Sequence, residues 1–138
     1  MDLSRYKDSV VQSAFASHLR SGENLETWAY GLKQPPMPVM MLLGPIAHAL
    51  LKKEYLIGLT DQRVLLLRVK GKNADVLEVT DYELDRAHAV TAEALKSFDR
   101  VVIEDADRPF EATFNPLSAP DNLGRVRRIV AVLRSPTA

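Results

Sequence analysis

The sequence predicts a mainly β fold: an antiparallel barrel or sandwich of about seven strands with an amphipathic helix at each end. Three observations lead to it. Two β-rich runs, EYLIGLT and RVLLLRVK, flank Asp61-Gln62 as a hairpin would. Further short β-rich runs follow, each bounded by polar or turn-forming residues. The last stretch, SAPDNLGRVRRIVAVLRS, changes to helical spacing.

Taken in order, residues 3–20 read as a helix. Val10, Val11, Ala14, Phe15 and Leu19 recur at three and four, while Arg5, Lys7, Asp8, Gln12 and Ser17 occupy other faces, and Ser21-Gly22 ends it. NLETWAYGL is the first strand, with Trp28 and Tyr30 on one parity. Pro35, Pro36 and Pro38 then stop both helix and ladder. After the hairpin, Lys70-Gly71-Lys72-Asn73 turns the chain into ADVLEVTDYEL, and RAHAVTAE, SFDRVVIED and PFEATFN supply the remaining runs. In the final helix Leu123, Val126, Ile129, Val130 and Leu133 form a stripe. Ser118 with Asp121 reads as a capping box, and Pro120 suits a first helical turn.

This order resembles the bacterial pleckstrin-homology-like (PH-like) domains. The resemblance rests on Leu19-Arg20-Ser21-Gly22-Glu23, the hairpin Ile57-Gly58-Leu59-Thr60-Asp61-Gln62-Arg63-Val64-Leu65-Leu66-Leu67, the segment Tyr82-Glu83-Leu84-Asp85-Arg86 and the terminal helix, and it covers about residues 19–134. It implies a PH-like barrel over residues 23–138, an N-terminal helical extension over residues 1–22 and an apolar insertion over residues 33–53. It also implies a binding or scaffolding module rather than an enzyme. Phosphoinositide-binding relatives cluster Lys and Arg between the first two strands; here only Lys33, Lys52 and Lys53 flank that connection, which is not a matching set.

Composition narrows the function classes further. The chain has 138 residues, enough for one domain with a buried core, and Lys plus Arg equal Asp plus Glu at 18 each. A zero net charge gives no general drive toward nucleic acid. With no cysteine, thiol nucleophiles, disulfides and cysteine-ligated metals are excluded, and the N-terminus lacks a secretory signal, so cytoplasmic residence is expected.

No constellation specifies a reaction, a metal or a cofactor. His18, His48 and His88 are far apart in sequence and lack a partner carboxylate at helical spacing. Ser97 and Ser118 sit in no nucleophile elbow, and the glycines are isolated, so no phosphate loop exists. Asp81, Glu83 and Asp85 alternate along one strand face, as a cation site or an ordinary solvated face would. Arg125, Arg127, Arg128 and Arg134 read as the outer face of the last helix. Thr60-Asp61-Gln62-Arg63 reads as turn chemistry, with Arg63 paired to Asp61 or Glu54.

The remaining feature is MPVMMLLGPIAHALL, residues 37–51, which carries no charge. As a helix it reaches about 22 Å at about 1.5 Å per residue, short of the ~30 Å bilayer core, and it contains Pro38 and Pro45. A short helix starting at Pro45 and running IAHALLKK is the expected form. Three uses stay open: packing on its own barrel or on a second copy, contact with another protein, or a shallow dip into a membrane with Lys52 and Lys53 at the headgroups. The interaction residues are therefore Met40, Met41, Leu42, Leu43, Lys52 and Lys53, with a protein partner or a homo-oligomer as the expected assembly.

Overall fold

The computed structural model describes residues 4–34, 37–46, 51–105 and 108–135. Helix α1 (Asp8–Ala16) precedes β1 (Leu25–Lys33) and α2 (Met37–Leu43). Six strands follow: β2 (Lys53–Thr60), β3 (Arg63–Lys70), β4 (Asp75–Glu83), β5 (Val90–Ala94), β6 (Asp99–Ile103) and β7 (Phe110–Phe114). Helix α3 (Asn122–Arg134) ends the described chain. The seven strands form one antiparallel sheet in the order β4-β3-β2-β1-β7-β6-β5. This is the mainly β architecture with a terminal helix that the hairpin and the successive runs predict.

Every strand sends side chains into one core. Ala29, Ile57, Leu66, Tyr82, Val90, Ile103 and Phe114 meet the α3 stripe of Val126, Ile129, Val130 and Leu133 there. The sheet thus curls around α3, with β4 and β5 as its two unpaired edges. Continuity is thinnest between β1 and β7, whose ladder holds only the pair Leu32 and Thr113.

A second core lies on the outer face of β1 to β3. Leu56, Leu65, Leu67 and Val69 are covered there by Val11 and Phe15 of α1, together with Tyr6, Trp28 and Tyr30. The two cores explain the unbroken apolar run of β3: Val64 and Leu66 face α3, while Leu65 and Leu67 face α1, so neither parity meets water. Trp28 also ties β1 to α1, its Nε1–H donating to Asp8 Oδ1 at 3.1 Å. Gly58 is needed at this contact because a Cβ there would lie 2.6 Å from the Phe15 ring.

Several expected boundaries move. Helix α1 is shorter than residues 3–20, because the chain before it is pinned elsewhere: Arg5 N–H donates to the Ser118 carbonyl at 2.8 Å, and the Tyr6 hydroxyl to the Gly71 carbonyl at 2.7 Å. The strand expected from Arg86 begins only at Val90. The capping box at Ser118 and Asp121 does not form. Asp121 takes a left-handed conformation with no side-chain cap, and α3 starts at Asn122, whose buried amide is committed to β1 instead.

Candidate interaction surface

The β1–β2 connection leaves the sheet at Lys33 and returns at Lys53. A helix forms at Met37–Leu43, with Met40 within it, and Pro45 and Ile46, where the expected helix starts, are helical as well. Pro38 is accepted there because the first turn needs no donor from that residue. Residues 47–50, which include His48 and most of the helix expected after Pro45, lie outside the described residues.

Exposure bears on the first of the uses left open by the sequence, packing on the chain's own barrel. Met37 is 67% exposed, Met41 80%, Leu42 85%, Leu43 59% and Ile46 68%. These side chains do not pack on their own barrel. The two cores are already filled without them. What results is an uncharged, exposed apolar segment anchored at both ends by β-strand.

The foot of this segment is basic. Lys33 and Lys53 stand opposite each other in the β1–β2 ladder, and like charges so placed repel. Lys52 and Lys53 also line a cavity of about 200 Å³ with Arg68, Lys70 and Leu77. Glu54, on its wall, is already committed: its Oε1 accepts from Arg5 Nε at 2.7 Å and from the Tyr30 hydroxyl at 2.8 Å. Burial alone would raise the Glu54 carboxyl, but these hydrogen bonds outweigh it and hold the group below its usual range. Burial, with the Glu54 hydrogen bond, pushes the Tyr30 hydroxyl well above the ordinary tyrosine range.

On the opposite side of β1, where it splays from β7, a groove of about 470 Å³ opens. Leu32 and Phe98 form its apolar surface, with the buried Ala112 behind them; Lys33 and Gln34, which lead into the insertion, form part of its rim.

No protein-family model matches the chain, and the search of characterised proteins finds no match either. Among solved structures, the chain is similar to the hSac2 domain from human phosphoinositide phosphatase Sac2. Identity is 12% and the TM-score 0.47, over 91% of this chain and 76% of that one.

The other residues singled out by sequence serve the scaffold. Asp81 accepts from Arg63 Nη1 at 2.6 Å and Arg108 Nη1 at 2.8 Å, Glu83 pairs with Arg20, and Asp85 lies beyond the end of β4. His88 is buried, with Nε2 at 2.7 Å from the Glu83 carbonyl oxygen, while the His18 carbonyl accepts from Arg63. Among the described residues no group of three or more His, Asp or Glu could hold a metal ion, and no helix is long and apolar enough to cross a membrane. The arginines of α3 are spent separately: Arg125 lies 5.0 Å from the Trp28 ring centre, Arg127 pairs with Asp99, Arg128 with Glu26, and Arg134 donates to the Val90 carbonyl. Arg63 pairs with Glu23 and Asp81 rather than with Asp61 or Glu54, because Arg5 occupies Glu54. Sequence reasoning missed Asn122 and the role of Glu23, since their partners are distant in the chain and no local spacing marks them.

Proposed function

We propose that the chain is a non-enzymatic, PH-like binding or scaffolding module of the cytoplasm. It acts through its β1–β2 connection, and its partner is a protein surface, most economically a second copy of itself. The observation that carries this reading is the exposure of Met41, Leu42, Leu43 and Ile46 on a chain whose other apolar residues largely fill two cores. A contiguous exposed apolar segment of this kind is what protein interfaces bury. Methionine adapts its shape to a partner, and the absence of charge over residues 37–51 lets two copies meet without like-charge repulsion.

Light scattering on the purified protein tests it, with Leu42→Glu and Leu43→Glu as variants. The expected result is a wild-type mass above the monomer and a monomeric mass for the variants, with unchanged circular dichroism. A monomeric wild type at every concentration overturns self-association.

A second reading has its own support in Lys33, Lys52 and Lys53 at the foot of α2. Apolar side chains above a ring of lysines suit shallow contact with an anionic bilayer. Flotation with anionic liposomes at low salt tests it, and absence of co-migration rules it out.

A further inference from the structure

We infer that the groove between β1 and β7 is the receptor for α2 of a second copy, so that two chains exchange helices about a two-fold axis. The inference rests on self-association through α2 and names the surface that α2 meets.

The groove and the helix belong to one patch. Lys33 and Gln34 line the groove and continue directly into the connection that carries α2. A two-fold interface requires one surface that holds both the protruding element and its receptor, and this patch does. The groove exists because β1 and β7 pair only at Leu32 and Thr113 and then part. Behind the gap, the Asn122 amide satisfies Tyr30, accepting from its N–H at 2.8 Å and donating to its carbonyl at 2.9 Å. The floor therefore makes no demand for a further strand; what it offers an occupant is the apolar surface of Leu32 and Phe98.

Apolar exposure continues along the rims. Leu117, 62% exposed, stands between the lining residues Asn115 and Ser118, and Leu95, 38% exposed, lies beside Phe98, whose carbonyl accepts its N–H. Charge agrees. Arg100 on the groove wall is paired with Glu111 and Glu93, which leaves Lys33 at the edge. A groove whose wall charges cancel suits an uncharged segment, and residues 37–46 are uncharged. In its own chain α2 stands clear of the groove with Met41 and Leu42 in solvent.

The test uses full-length protein, a helix variant, Leu42→Glu, and two groove variants, Phe98→Glu and Leu117→Glu. Neither groove position belongs to either core, and circular dichroism checks that each variant folds. Sedimentation should give dissociation constants at least about tenfold weaker for each variant alone, the scale of one lost anchor. Mixing Leu42→Glu with Phe98→Glu should restore association, because one intact helix then meets one intact groove. If Leu42→Glu is monomeric while both groove variants associate like wild type, or if mixing restores nothing, the exchange is overturned and self-association through α2 stands. A wild type that is monomeric throughout overturns both.

Discussion

Arg63 meets Glu23 side-on, with Nε 3.0 Å from Oε2 and Nη2 3.1 Å from Oε1. The guanidinium also reaches Asp81 Oδ2 at 2.6 Å and the His18 carbonyl at 2.9 Å, and the Thr60 hydroxyl donates to Glu23 Oε2 at 2.7 Å. Arg20 completes the cluster: its backbone N–H donates to Glu23 and its side chain pairs with Glu83. One buried junction thus joins the loop after α1, the β2–β3 turn and the end of β4. Arg20 and Glu23 come from LRSGE, Arg63 from TDQR and Glu83 from YELDR, with Asp81 just before it, and the bond to the His18 carbonyl ties the chain after α1 to the sheet.

Removing one partner strands the other in a buried site. Arg63→Met should cost about 3–5 kcal/mol, the usual scale for an unpaired buried charge. Pairing it with Glu23→Gln should recover part of that loss. Urea unfolding of the two singles and the double measures the coupling.

Acid should act through the same carboxylate. Burial of Glu23 would raise its pKa, but hydrogen bonds from Arg63, the Arg20 N–H and Thr60 prevail and hold it at about 2, below the 4.5 of an ordinary glutamate. A depressed folded pKa means stability that is present above pH 4.5 and lost as pH falls toward 2. The loss is on the order of 3 kcal/mol. Glu23→Gln should be less stable at neutral pH and flatter across that window, as read by denaturant midpoints at stepped pH.

Gly58→Ala should destabilise by about 1–3 kcal/mol, since its methyl would press on the Phe15 ring and on Leu25. The signature is coupling. In a Phe15→Leu background the added methyl should cost less, and a double-mutant cycle by thermal or urea unfolding detects it.

Asn122→Ala should cost about 2–4 kcal/mol, because it deprives the Tyr30 N–H and carbonyl and the Asn115 carbonyl of their partner inside the fold. Asn122→Asp should fare no better: it keeps an acceptor but loses the two donations and buries a charge. Hydrogen exchange at Tyr30, faster in both variants than in wild type, localises the damage.

The hairpin at Asp61-Gln62, the bounds of β3 and the buried stripe of α3 are all readable in the sequence, because each rests on local spacing and turn chemistry. The starts of α1 and α3 are not. Tyr6 is fixed by Gly71, and Asn122 by Tyr30, which stands 92 positions away. Contacts of that range leave no periodicity to detect. At the interaction surface the residues 40–43 and 52–53 are legible from their composition, yet exposure is not. A run as apolar as MPVMMLLGPI reads equally well as core, and only the prior filling of both cores leaves it outside.

The outer core changes what the first residues of the chain are for. A protein shortened to begin at Glu23 would keep every strand and α3, and by sequence it would look like the minimal barrel. It would also lay bare Leu56, Leu65, Leu67 and Trp28 on the convex side of the sheet and leave Glu54 without Arg5. Such a fragment would have a sticky back, and any self-association measured on it would report that wound rather than the helix at the opposite end of β1.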